Sequence, residues 1–182
     1  MIELLKKFCH DDATRTSIAT PWSAGEHSFA TNGHMIVRVS RLADVPERED
    51  APFLGKMFPY ADPAEWFALA DIKLPKPKTV DCSGCDGDGE IEHEECADCS
   101  GHKCEECNGT GEVTPLDIPV PVGNTHFQLG YLLTLKDLPN CKIGPGPASP
   151  LASLLKEAPF QFDGGDGLLM PINLGGWKEV KS

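Results

Sequence analysis

CSGCDGDGEIEHEECADCSGHKCEECNGTG, residues 82–111, holds six of the chain's eight cysteines, and its reading decides how the flanking segments are organised. The six fall into three pairs of one spacing, Cys82-x2-Cys85, Cys96-x2-Cys99 and Cys104-x2-Cys107. A Cys-x-x-Cys turn brings two sulfurs near a common point, and two such turns complete the tetrahedral four-sulfur shell that zinc favours. CSGCDGDG and CEECNGTG both read CxxCxGxG, where the glycines let the backbone fold around the sulfurs and aim N–H groups at the thiolates. Each repeat ends in a β-like step, Glu90-Ile91 and Glu112-Val113.

Charge marks out the same segment. Of the formal net charge of −12, residues 80–113 hold eleven acids against one base, Lys103, whereas the rest of the chain carries seventeen acids and fifteen bases. Binding to a phosphate backbone relies on Lys and Arg contacts and counterion release, so this segment repels nucleic acid. The length of 182 residues and a hydrophobic share of 40% suit one core-bearing domain with a small added module. No apolar run reaches the ~18 residues of a membrane span, and MIELLKKFCHDDATR lacks the features of a secretory signal, so the expected location is the cytoplasm. In a reducing compartment closely paired cysteines serve as metal ligands or redox thiols more often than as structural disulfides.

The glycine-bearing repeat resembles the DnaJ-type cysteine-rich zinc finger, in which repeats pair across a long hairpin. The resemblance implies one zinc held by Cys82, Cys85, Cys104 and Cys107. The middle pair departs from the pattern, because Cys96-Ala-Asp-Cys99-Ser-Gly101-His102 has histidine where the second glycine belongs. A second zinc on Cys96 and Cys99 needs two more ligands, and His93 and His102 flank the pair with neutral imidazole as a legitimate donor. The alternative is that both histidines are solvated members of an acidic loop. A closed four-thiolate shell leaves no open position, so the expected zinc is structural rather than catalytic.

Linkers bracket the module. Lys73-Leu-Pro-Lys-Pro-Lys-Thr79 reads as extended polyproline and Thr114-Pro115 closes the other side, so residues 80–113 are expected to form an insertion in a domain made of 1–79 and 114–182. In the first part Ile2, Leu5, Phe8 and Cys9 recur at helical spacing. EHSFATNGHMIVRVS predicts a hairpin about Asn32-Gly33 with a type I′ turn. Asp62-Pro63-Ala64-Glu65 is a capping box predicting a helix through Ala70, with Trp66, Phe67 and Leu69 packed inward. After the module, Phe127, Tyr131, Leu135 and Leu138 predict a helix, Asn140-Cys-Lys-Ile143 opens a strand, and FQFDGGDGLLMPINL predicts two strands about a DGGD turn.

ATNGHMIVRV (30–39) resembles the ATDGHRLA stretch of the bacterial DNA polymerase sliding clamp. YLLTLKDLP (131–139) and FDGGDGLLMPINL (162–174) resemble that family's YLL…L helix and closing MPxxL strand, in the family's order. The implied fold class is α+β, one clamp-like domain of two helix-plus-strands units with a small zinc-stapled hairpin module inserted. A complete clamp ring uses several such domains and this chain has room for one. The family's peptide groove lies beside its final strand, which places candidate partner-binding residues at Met170, Pro171 and Leu174, with Trp177 in the tail GGWKEVKS beyond.

Lys6, Lys7, Arg15, Arg38, Arg41 and Lys136 are candidates for a weak DNA-facing patch or for an ordinary solvated face. Cys9 and Cys141 read as small buried hydrophobes. No Walker loop, Rossmann fingerprint or GxSxG elbow is present, so no catalytic residue and no small-molecule substrate are expected. The expectation is a non-enzymatic zinc-binding interaction protein, associated with DNA replication, that binds a basic or replication-linked protein or reaches DNA through the clamp-like part. A DnaJ-like polypeptide-binding module and a thiol redox protein are the competing classes. The first lacks the family's HPD-bearing domain, and the second lacks a surrounding thioredoxin-like βαβ pattern.

Overall fold

A computed structural model describes residues 1–10, 15–48, 58, 62–91, 101–145, 157–172 and 174. In chain order its regular elements are α1 (Ile2–Lys6), a 3-10 turn (Thr16–Ile18), β1 (Trp22–Ala24), β2 (His27–Thr31), β3 (Met35–Ser40), β4 (Phe67–Ala68), β5 (Val80–Asp81), β6 (Glu90–Ile91), β7 (His102–Lys103), β8 (Glu112–Val113), β9 (Pro119–Val122), β10 (Thr125–Gln128), α2 (Leu129–Lys136), β11 (Lys142–Ile143), β12 (Ala158–Phe162) and β13 (Gly165–Leu169). The described residues are mixed but mostly sheet, and they divide into two compact units, Met1–Leu74 with Pro119–Ser182, and Pro75–Ile118.

The larger unit is organised by a seven-stranded antiparallel sheet in the order β1-β2-β3-β13-β12-β11-β4. Two three-stranded meanders, β1-β2-β3 and β11-β12-β13, each follow a helix and meet through their last strands. That join runs Met35–Val39 against Gly165–Leu169, as long a register as the β2-β3 and β12-β13 pairings on either side of it. Strand alternation then sorts side chains to two faces. One face gathers Trp22, Phe29, Ile36 and Leu168 under Phe58, all buried. The opposite face carries Val37, Val39, Phe160 and Leu169, and there Phe8, just past α1, stacks on Phe160 with centroids 6.4 Å apart. Full burial of an aromatic such as Phe8 or Phe160 contributes about 1.5–3 kcal/mol each.

The hairpin at Asn32-Gly33 forms, with a different turn from the expected one. Gly33 has φ +91° while Asn32 is not among the residues at positive φ, so the I′ pattern fails. The central pair is Gly33-His34, with positive φ at its first residue alone, the arrangement that requires glycine there. Asn32 contributes its side chain, whose Oδ1 accepts the N–H groups of His34 and Met35, each at 3.0 Å.

Two predicted helices are corrected. Asp62–Ala70 is not helical; Phe67–Ala68 is instead the edge strand β4, paired to β11, and Leu69 donates its N–H to the Cys141 carbonyl at 2.9 Å. Pro63 and Trp66 lie over Gly144, so tertiary packing outweighs the local capping signal. Of the three residues expected inside, Leu69 is buried and Trp66 and Phe67 are half-buried. The second helix starts at Leu129, so Phe127 belongs to strand β10, in the β9-β10 hairpin that the Pro-rich LDIPVPVG stretch conceals. Leu129, Leu132 and Leu135 form the buried stripe of α2.

Among the described residues of the smaller unit, the buried cluster is built on cysteines rather than on large apolar side chains. It consists of Cys82, Cys104 and Cys107, with Cys85, Ile91 and Val113 packed against it. Two short antiparallel ladders, β5-β8 and β6-β7, close it.

Candidate metal centre

The Cys82-x2-Cys85 and Cys104-x2-Cys107 turns fold as knuckles, and the two repeat one conformation at a separation of 22 residues. Asp86, Gly87 and Gly89 take positive φ of 50°, 92° and 79°, and Asn108, Gly109 and Gly111 take 53°, 76° and 76°. In each knuckle the first cysteine's carbonyl accepts the N–H of the first glycine, Gly87 to Cys82 at 3.1 Å and Gly109 to Cys104 at 3.0 Å. The knuckles also exchange hydrogen bonds reciprocally, Cys82 N–H to the Gly111 carbonyl at 2.8 Å and Cys104 N–H to the Gly89 carbonyl at 2.9 Å. The repeat pairs strands the same way, since β5 against β8 corresponds to β7 against β6. The unit is therefore a local two-fold built from one sequence repeat used twice.

The sulfurs gather between the two knuckles. The Sγ atoms of Cys82, Cys85, Cys104 and Cys107 all lie within 4.8 Å of one another. Cys82 and Cys104 are 3.8 Å apart and Cys85 and Cys107 3.7 Å. A regular tetrahedron with Zn–S near 2.3 Å has S···S edges of about 3.8 Å, so the cluster has the size of a zinc shell. The second glycine of each repeat donates to the second sulfur, Gly89 N–H to Cys85 Sγ at 3.1 Å and Gly111 N–H to Cys107 Sγ at 3.3 Å. Such donors neutralise part of the thiolate charge and orient the ligand.

As thiols alone Cys82 and Cys85 shift one way and Cys107 the other. Burial pushes Cys82 up to about 12 and raises Cys85. At Cys107 burial acts the same way, but the Gly111 N–H and the neighbouring Cys104 and Cys85 sulfurs outweigh it and bring the group down to about 6. A divalent cation favours the thiolate at every position that binds it. The four cysteines could hold a metal ion, and their donor set and dimensions are consistent with one zinc.

Cys96, Cys99 and His93 lie outside the described residues. His102 sits on β7 opposite Ile91, exposed, and is not one of the four-ligand group. Trp177 also lies outside the described residues. Met170 and Leu174 are among the few large exposed apolar side chains, at 41% and 37%. Past β13 the chain is held by two backbone bonds, Met170 N–H to the His34 carbonyl and Ile172 N–H to the His126 carbonyl, each 2.8 Å.

Four of the six basic residues singled out above are ion-paired: Lys6 with Glu3, Lys7 with Asp137, Arg38 with Asp166 and Arg41 with Glu47. Arg38 and Asp166 line an open cleft of about 440 Å³ on the sheet surface with His27, Ser40 and Gln161, and their charges cancel one another within it. No helix among the described residues is long and apolar enough to cross a membrane. Compared with models of protein families, with curated proteins and with solved structures, the chain matches none.

Proposed function

We propose that this chain is a non-enzymatic interaction protein whose acidic finger is held in shape by one structural zinc. The observation that carries this reading is the convergence of four sulfurs from two alike knuckles into one cluster, all within 4.8 Å of one another. Four thiolates leave no coordination position for a substrate, so the metal serves folding and not chemistry. Metal analysis of the purified chain tests it. About one zinc per chain, lost together in Cys82→Ser and Cys104→Ser variants, is expected; a metal-free yet compact finger overturns it.

The finer reading is a clamp-like body that docks a protein partner at its closing edge. Two helix-plus-meander units joined through their last strands accord with the two-copy organisation of a clamp domain. Met170 and Leu174, exposed beside Pro171, supply the apolar contact. The ion pairing of most candidate DNA-facing residues favours protein over DNA as the partner. Peptides that bind sliding clamps should be retained by the wild-type chain and released by Met170→Ala with Leu174→Ala. Failure of the wild type to retain them rejects this edge as the docking site.

The polypeptide-binding alternative draws on Val80 and Leu116, 48% and 42% exposed in the finger unit. Suppression of a client protein's aggregation by the full chain, abolished by Val80→Ser with Leu116→Ser, would favour it.

A further inference from the structure

We propose that peroxide converts the four-thiolate centre into two disulfides that cross from one knuckle to the other, Cys82–Cys104 and Cys85–Cys107, releasing the zinc while the finger keeps its fold. This rests on the structural-zinc reading. The pairing follows from the two-fold: the 3.8 Å and 3.7 Å separations both join equivalent residues of opposite knuckles. A disulfide requires about 2.05 Å between sulfurs, so each pair closes by less than roughly 2 Å once the cation leaves.

The backbone explains why the fold survives. Among the described residues, two two-residue ladders and the reciprocal Cys82–Gly111 and Cys104–Gly89 bonds are the backbone links between the knuckles. Crossed disulfides tie the same two knuckles covalently and preserve those registers. Bonds within each knuckle, Cys82–Cys85 and Cys104–Cys107, would add no covalent tie between the halves and leave them joined by backbone hydrogen bonds.

The chemistry balances with peroxide as the oxidant. Cys85 is the least enclosed of the four residues, and its thiolate attacks one peroxide oxygen, giving a sulfenic acid and, after protonation, water. The Cys107 thiolate attacks that sulfur, forms the S–S bond and expels hydroxide, which leaves as a second water. Cys104 and Cys82 repeat the sequence with a second peroxide. Four thiolates are oxidised to two disulfides, two peroxides and four protons become four waters, and the ion departs as free Zn²⁺.

Charge selects the oxidant. Asp86, Asp88, Glu105 and Glu106 are exposed on the knuckles themselves, so an anionic disulfide such as oxidised glutathione is repelled while neutral hydrogen peroxide is not.

The zinc-loaded full chain is treated with hydrogen peroxide or, in parallel, oxidised glutathione at equal concentration. Zinc release is followed with a chromogenic chelator and disulfides are mapped by mass spectrometry after digestion. The expected result is release of the finger zinc with Cys82–Cys104 and Cys85–Cys107 as the dominant bonds, at least roughly tenfold faster with peroxide at low salt and with that preference shrinking as salt screens the acids. Bonds within a knuckle, bonds to Cys96 or Cys99, sulfinic acids without disulfide, or retained zinc overturn the proposal and leave the zinc reading standing. A chain without zinc before treatment overturns both.

Discussion

Arg38 grips Asp166 across the join between the two meanders, with Nε to Oδ1 at 2.8 Å and Nη2 to Oδ2 at 2.6 Å. The two residues are register partners on β3 and β13, and their side chains are only 23% and 20% exposed. The guanidinium also lies 4.2 Å over the Phe58 ring. A bidentate, partly buried pair contributes more than an ordinary surface ion pair. Arg38→Ala and Asp166→Ala should each destabilise the chain by about 1–3 kcal/mol in urea unfolding. Arg38→Lys should recover little, because a point-charge ammonium offers neither the fork nor the flat face. The double variant should fall short of the sum by roughly 1–2 kcal/mol. Strict additivity would show that the pair does not brace the join.

The finger should depend on its metal and on two glycines in particular. A Cβ at Gly111 would run into the Gly87 carbonyl, and one at Gly89 into the Gly109 carbonyl, with both glycines at positive φ. Gly111→Ala therefore strains the backbone and also disturbs the N–H that reaches Cys107. Chelation at neutral pH, or Gly111→Ala, should abolish amide protection at Cys82 and Cys104 while strands β2, β3, β12 and β13 keep theirs, read by hydrogen exchange. Loss of protection throughout the sheet would contradict independent folding of the body.

Much of the finger was legible because its chemistry is local: the 22-residue repeat of cysteines and glycines marks the two knuckles, while the choice of Cys82, Cys85, Cys104 and Cys107 as one ligand set came from the resemblance to the DnaJ-type finger. The hairpin at Gly33 and the β12-β13 turn were legible for the same reason, since each is closed by residues adjacent in sequence. The misread elements are those decided at a distance. Asp62–Glu65 has a good helix start, yet Phe67–Ala68 gains more by pairing with Lys142–Ile143 at the sheet edge. Phe127 fits a helical stripe because α2 begins two residues later, so strand and helix share one apolar run. Arg38–Asp166 spans 128 residues, and no local pattern could announce it.

Excising the finger should leave the body folded. Val80 pairs with Val113 and the Thr79 and Thr114 hydroxyls lie 3.4 Å apart, so the chain enters and leaves the finger at nearly the same point. Replacing residues 80–113 by a short Gly-Ser turn shortens the loop between Thr79 and Thr114 without separating its ends, a change whose entropic effect is small. The expected outcome is a cooperative thermal transition within a few degrees of the zinc-loaded parent's main transition, with all zinc binding lost. A non-cooperative or aggregated product would mean that the body requires the finger.

Cys141 should make the body alkali-sensitive. Burial pushes its thiol up to about 12, against an ordinary value of 9.0 in the unfolded chain. Below about pH 9 both states hold the proton and the full stability is present. Between about 9 and 12 the unfolded chain has released the proton while the folded one retains it, so the unfolded state binds fewer protons and stability falls as pH rises. Burial raises Tyr131 in the same direction, which adds to the fall at the upper end of that window. Zinc-loaded protein unfolded in urea at pH 8 and pH 11 should lose roughly 2–3 kcal/mol on this account. Cys141→Ala, compared with itself at the two pH values so that its own packing defect cancels, should show a distinctly shallower decline. An unchanged slope would place the alkaline sensitivity elsewhere.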